Sequence, residues 1–338
     1  MTNTTKRRWQ WTVIGMFSML AAIGPQSVTA APSNAVFSGR ATVVDATVAG
    51  VPIVLSDTGA LPSQGGAEQA SLLTASVPNV LTAEALHAST VGHGDRTRSE
   101  ASVADLTLTV GGNTISAGFL RSRATATCEG GFAAVTGSSE IVALVINGQS
   151  IVVSEAPNQT VALPGGGQVI INEQPPEATG NITVNALHVI VPGLADVVIA
   201  SSHADITCTG AGCSSKDDFV TGGGFVPSGK TKANFGVAGG LKNGSLWGHL
   251  VYLDHANNGV RVKANDVTAY TSTGTTSRHI EFAGTCEVND VPGGTCSVDV
   301  TDNGEPGRND LFTLKVNGAP APSGKLAGGN IQLHSACK

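Results

Sequence analysis

Apolar and polar residues alternate in short runs along most of this chain, and apolar positions hardly ever return at helical spacing. Leu106, Leu108 and Val110 alternate with Thr107 and Thr109, and Gly111-Gly112-Asn113 then turns the chain into Ile115, Ala117 and Phe119. That pattern predicts a hairpin with one apolar face. Asn147-Gly148, set between Ile141–Ile146 and Ile151–Val153, is the strongest kind of short hairpin signal. Ile182–Val191 and Asp196–Ala200 predict central strands, and Thr58–Ala67, rich in Gly, Pro and Ser, a mobile loop. Ala83–Ala88 is the one place where a single helical turn is expected.

The later part of the chain keeps the same rhythm. Leu246–His255, Val260–Lys263, Val267–Tyr270, Cys296–Val300, Phe312–Val316 and Ile331–His334 read as strands, and their near-regular spacing suggests a closed barrel or a sandwich. The expected fold is therefore all-β, with two antiparallel β domains. Residues 31–212 form a sandwich, and residues 213–338 a small sandwich or barrel. Composition agrees with this division, since Trp247, Tyr252 and Tyr270 all lie in the second domain while the first has no Trp or Tyr. A first domain without these flat aromatic faces is a poor platform for stacking sugars. Charged residues make up only 13% of the chain and glycines number 43, against about 25% charged and about 7% Gly in ordinary domains. Such a composition favours many strands joined by tight turns.

The first thirty residues stand apart. Lys6-Arg7-Arg8 precedes an uncharged apolar run from Trp11 to Ile23, and Val28-Thr29-Ala30 supplies small residues before Ala31. This is the pattern of a secretory signal peptide over residues 1–30, cleaved after Ala30. The run is too short for a membrane span of about 20 residues, so the mature chain is expected to have no transmembrane segment. Those three basic residues are the leader's only charges, and its removal takes the net charge from −6 to −9. So acidic a chain, with no basic cluster, lacks the electrostatic footprint of a nucleic-acid binder.

The six cysteines, Cys128, Cys208, Cys213, Cys286, Cys296 and Cys337, all follow the leader. An even number in an exported chain points to disulfides, and no C-x-x-C spacing suggests a metal site. Several connectivities are open to six cysteines. The favoured set joins Cys286 to Cys296 across a Pro-Gly-Gly turn, Cys128 to Cys208 within the first domain, and Cys213 to Cys337 at the two ends of the second.

Gly224–Thr231 matches the G-x-x-x-x-G-K-[ST] phosphate loop. That loop needs a buried strand before it and a helix after it, yet the residues after Thr231 are too rich in glycine for a helix. A turn between strands, with Lys230 in solvent, is expected instead. His249 and His255 fall on one face of a strand, but six residues at about 3.3 Å each put them about 20 Å apart, so zinc would require His279 or another partner. His188 and His203 read as satisfied strand residues. Asp302, Glu305 and Asp310 bring three carboxylates into nine residues and form the candidate calcium site, the alternative being a polar turn whose Asp and Asn bond their own backbone. No other cofactor is indicated. Nucleophile motifs such as G-x-S-x-G and H-E-x-x-H are absent.

The strings Asn181–Gly193 (NITVNALHVIVPG), Ala195–Cys208 (ADVVIASSHADITC) and Arg121–Gly131 (RSRATATCEGG) resemble the bacterial choice-of-anchor P family. Asp218–Phe225 (DFVTGGGF), Gly248–His255 (GHLVYLDH), Asp302–Asp310 (DNGEPGRND) and Gly328–His334 (GGNIQLH) resemble the domain often found behind choice-of-anchor modules. The resemblance implies a secreted or surface-attached bacterial protein whose activity is not established. Members typically end in a sorting or anchoring segment, whereas this sequence ends in Gln332-Leu-His-Ser-Ala-Cys-Lys338, so release into the medium or periplasm is expected. The functional expectation is an exported, non-catalytic protein with a structural or adhesive role, its partner an extracellular or envelope ligand. The alternative is a secreted hydrolase whose site lies between the domains, where pockets often form.

Overall fold

A computed structural model describes residues 35–129, 132–208, 218–242 and 244–334. The expected leader, Cys213 and Cys337 lie outside the described residues. Among the described residues all the strand pairings are antiparallel, and no helix is long and apolar enough to cross a membrane. β1 (Ala35–Val48) turns back into β2 (Val51–Asp57), and the chain then crosses to a second sheet. There β3 (Gly66–Val77), β4 (Leu81–His93), β5 (Arg96–Val110), β6 (Asn113–Glu129) and β7 (Phe132–Val142) follow as a meander. The hairpin of β8 (Val145–Ile146) and β9 (Gln149–Ser150) turns at Asn147-Gly148 and extends this sheet beside β6. The chain returns to the first sheet as β10 (Gln159–Ala162), β11 (Gln168–Glu173), β12 (Asn181–Val191) and β13 (Ala195–Cys208). β13 closes along β1.

These two sheets face one another as a sandwich. Val43 and Val44 of β1, Leu86 of β4, Val103 of β5, Leu120 of β6, Leu187 of β12 and Ile199 of β13 all reach its core. Burying each such side chain stabilises the fold by about 1.5–3 kcal/mol. Ala83–Ala88, where a helical turn was expected, is strand β4. Its helix-like spacing arises from a β-bulge that puts two successive residues against one on the neighbouring strand.

The second half is one eleven-stranded sheet curled into a half-barrel. β14 (Asp218–Ser228), β15 (Thr231–Lys242), β16 (Ser245–Asp254) and β17 (Arg261–Ala264) lead to β18 (Ala269–Ser272), β19 (Ser277–Val288) and β20 (Val291–Thr301). A single 3-10 turn, Gly307–Asn309, precedes β21 (Leu311–Val316). The two-residue strands β22 (Ala319–Pro320) and β23 (Gly324–Lys325) follow, and β24 (Gly328–His334) returns to pair with β14. Phe235, Tyr252, Phe282, Phe312, Leu314 and Ile331 fill the hollow of the curl, with the Phe235 and Phe312 rings stacked at 3.9 Å between centroids.

The curled sheet lies over the outer face of the seven-stranded sheet. β5 records the consequence, because residues Thr97–Ala104 are buried on both faces. Thr97, Ser99, Ala101 and Val103 point into the sandwich, where Ser99 and Thr97 donate to the β13 carbonyls of His203 and Asp205. Arg98, Glu100, Ser102 and Ala104 point the other way, beneath the second half. Gly223, just before the phosphate-loop look-alike, and Gly236 on β15 allow this approach: a Cβ on Gly223 would stand 2.5 Å from Ser102 Oγ, and one on Gly236 2.9 Å from His87 Cβ. The string Gly224–Thr231 is the end of β14, a tight turn at Gly229-Lys230 and the start of β15, with Lys230 exposed.

Candidate functional site

Polar chemistry collects at the seam between the halves. At one end of it two opposed bulges bring Glu84 of β4 and Asp105 of β5 together. An extra residue on β5 between the pairs Thr82–Thr107 and Glu84–Ala104 is answered by an extra residue on β4 before His87–Ser102. Ala85 and Asp105 take positive φ values of 46° and 45° there, a conformation that side chains with a Cβ adopt only where the surroundings impose it. Bulges re-aim the side chains beside them, and here both carboxylates are turned towards the second half.

His255, just past the end of β16, meets them. Its Nε2 stands 3.1 Å from Glu84 Oε2 and 3.3 Å from Asp105 Oδ2. The fully buried Asn234 points its Nδ2 into the same group, 2.8 Å from that nitrogen and 3.2 Å from Asp105 Oδ2. Lys232 donates to the other Asp105 oxygen at 2.7 Å and to the Gly118 carbonyl at 2.8 Å. Burial most strongly raises the Glu84 carboxyl; His255 opposes the rise and Asp105 adds to it. Lys230 and Thr231 complete the rim of an open cleft of about 590 Å³. Glu84, Asp105 and His255 are the one group among the described residues placed to hold a metal ion.

Further along the seam is a network of buried charge. The Glu100 carboxylate receives Arg123 Nε at 3.0 Å and Arg121 at 3.3 Å, with Arg98 at 3.6 Å. Burial alone would raise this carboxyl, but Arg123, Arg121 and Arg98 together hold it at about 2. Arg121 also reaches Glu140 at 3.2 Å. From the second half, Glu305 answers Arg98 at 3.3 Å and Arg123, Arg308 answers Glu140 at 3.5 Å, and Gln332 accepts from Arg98. Between cleft and network lie His87 and His249, with ring nitrogens 3.3 Å apart and Ser71 Oγ touching both. Burial lowers His87 to about 4 and drives His249 well below its ordinary value, with His87 adding to the latter effect.

The loop expected to bind calcium is engaged differently, and its three carboxylates have separate partners. Asp310 accepts the amides of Asn303 and Ile331, each at 2.8 Å. Asp302 accepts those of Gly304 at 2.9 Å and Leu333 at 2.8 Å, while Glu305 serves the arginines of the seam. Arg308 reaches out of the loop to Glu140. His249 and His255 do share a face, the one turned towards the first half, but they serve different clusters. His279 is bound to Asp299 and Glu281, His188 to Glu173 and Asp196, and His203 to Thr183. Cys128 is bonded to Cys208, and Cys286 to Cys296.

Glu84 and Asp105 escape a reading of sequence because their meeting depends on the two bulges and on the lid of the second half. A single carboxylate interrupting an otherwise apolar or small run, as in Val103-Ala-Asp-Leu106 and Thr82-Ala-Glu-Ala85, is the only local signal. No protein-family profile, curated protein or solved structure matches the chain.

Proposed function

We propose that this is an exported bacterial protein of the choice-of-anchor type, acting outside the cell as a non-catalytic structural or adhesive module. The observation that supports this most is the disulfide pairing of Cys128 with Cys208 and of Cys286 with Cys296, because such bonds persist in oxidising compartments. The seam adds to it: its arginines and carboxylates are mostly committed to one another. A rigid β scaffold of this kind carries its contacts on loops and exposed edges, and its net acidity argues against a nucleic-acid partner. Expression in a bacterial host tests the localisation: material recovered outside the cytoplasm should begin at Ala31 by intact mass. Retention of the full leader in cytoplasmic material would reject export. Capture of envelope polymers or extracellular matrix on the immobilised protein tests the adhesive role, and failure to retain any of them would leave the structural role alone.

A hydrolase with its site between the halves remains the second reading, favoured by the convergence of Glu84, Asp105 and His255. The polar partners of His255 are Asn234, Glu84 and Asp105. None is a hydroxyl or a thiol, so no Ser–His or Cys–His nucleophile–base pair is formed at His255. Turnover of ester, peptide or glycoside reporters, abolished by Glu84→Gln, would establish this reading in place of the first.

A further inference from the structure

We propose that Glu84, Asp105 and His255 bind a first-row divalent cation of the zinc class, which staples the first half of the protein to the second. Among the described residues His188, His279 and His255 are each flanked by two carboxylates, and comparing them isolates one. At His188 the carboxylates of Glu173 and Asp196 take opposite ring nitrogens, at 2.9 and 2.8 Å. At His279 those of Asp299 and Glu281 do the same, at 2.7 and 3.2 Å. A protonated imidazole satisfies both arrangements through its two N–H groups. At His255 both carboxylates crowd a single nitrogen, Nε2, and the Asn234 amide is directed at that nitrogen as well. One N–H cannot serve two carboxylates at once, and a lone pair facing them is repelled.

The strain is visible in the hydrogen bonding. Glu84 Oε2 is buried and has no hydrogen-bond donor. The wholly buried Asn234 has its Oδ1 unpartnered while its Nδ2 points into the cluster. A buried carboxylate oxygen without a donor is costly, and a cation bound by all three groups relieves the repulsion between them. The spacing fits. Donor atoms about 2.1 Å from a common ion stand about 3.0 Å apart along an octahedral edge and about 3.4 Å apart along a tetrahedral one. The observed separations from Nε2 are 3.1 and 3.3 Å. An imidazole with two carboxylates suits zinc or manganese better than calcium or magnesium, which take oxygen ligands. Lys232 holds the other oxygen of Asp105 and so turns Oδ2 towards the ion, as an outer partner of a metal ligand does. Two ligands come from β4 and β5 and the third from the segment after β16, so the ion would bridge the seam itself.

The test is a titration of the leaderless protein with zinc alone at neutral pH, followed by calorimetry and by thermal unfolding. One saturable equivalent is expected, with a rise in Tm that EDTA reverses. Glu84→Gln preserves the shape of the side chain, and His255→Ala removes the nitrogen. Each should weaken binding at least tenfold, whereas Lys230→Ala on the rim should leave it unchanged. Apo unfolding curves show whether each variant is folded; if His255→Ala is not, Glu84→Gln carries the test. Absence of saturable binding up to about 1 mM zinc, weaker than any specific site of this kind, would overturn the proposal. So would binding that survives Glu84→Gln undiminished, since the zinc would then sit elsewhere, at His188 or His279 for example.

Discussion

Arg123 donates through Nε to the Glu100 carboxylate at 3.0 Å, and both side chains are about nine-tenths shielded from water. Removing one member of a buried pair leaves the other charge uncompensated, which costs about 3–5 kcal/mol. Glu100→Gln is therefore expected to lower the free energy of unfolding by that amount, read from the urea midpoint. A loss below about 1 kcal/mol would place this pair in the class of surface ion pairs and remove it from the forces that hold the seam.

Acid should weaken the same seam. His87 and His249 are neutral in the folded protein because burial disfavours their charged forms, whereas in the unfolded chain they take up protons near pH 6.5. The unfolded state thus binds more protons, and stability falls as pH drops from about 6.5 towards the folded value of about 4 for His87. His87 alone accounts for a loss on the order of 3 kcal/mol. Glu100, held at about 2, adds a loss below about pH 4.5. Asp310 acts in the opposite sense: burial pushes it up to about 6, so its protonation on acidification favours the fold. The combined replacement His87→Gln and His249→Gln should flatten the dependence of Tm on pH between about 4 and 6.5. An unchanged slope would show that other groups cause it.

Asp310 itself makes a sharper prediction. In the sequence Asp310 stands in a polar turn, but it is fully buried and accepts the Asn303 amide within the turn that joins β20 to β21 and the Ile331 amide of β24. Asp310→Ala should cost about 2–4 kcal/mol, since the buried Ile331 amide and the Asn303 amide both lose their acceptor. That approaches the cost of about 3–5 kcal/mol expected for Phe312→Ala. Chemical denaturation of the two variants side by side checks the ranking, and a negligible effect of Asp310→Ala would return the residue to solvent.

The two disulfides should differ in worth. Cys128–Cys208 closes a separation of 80 residues and Cys286–Cys296 one of 10. On loop entropy alone, their removal costs about 4.5 and about 2.7 kcal/mol respectively. Paired Cys→Ala replacements, compared by denaturant midpoint, should show the larger loss for Cys128 and Cys208.

What could be read from the sequence was local. The turn at Gly111-Gly112 stands where the alternation of Thr107–Val110 places it, and the turn at Asn147-Gly148 where its own two residues place it, although its strands are only β8 and β9 and Ile151–Val153 lies outside any strand. Arg98 and Glu100 alternate with Thr97 and Ser99 just as residues on a solvated face would, so nothing within β5 announces the half-barrel that covers them. Ala83–Ala88 departs from the expected helical turn for a related reason. A bulge shifts the alternation by one residue, and in one strand taken alone that shift imitates a helical turn. Gly224 opens the string that resembles a phosphate loop, yet the physical reason for it and for its neighbours Gly222 and Gly223 is the closeness of β24 and of Ser102. The meeting of Glu84, Asp105 and His255 is non-local in every part, depending on strand register, on a bulge on each strand and on docking of the second half.

In each half the opening strand is paired with the closing one, β1 with β13 and β14 with β24. Thr221 and His334, separated by 113 residues, touch through their side chains at 2.9 Å. This sets an order of events for a chain emerging from the ribosome or threading through a membrane pore. The internal hairpins can zip as soon as they appear, whereas β1 and β14 must each wait, one edge bare, for a partner made much later. Non-local closure of this kind slows folding, and a bare edge invites pairing with other chains. Export in an extended state would keep both edges apart until the whole chain has crossed, and a ribosome that stalls before β24 would release a half-barrel with an open seam along β14.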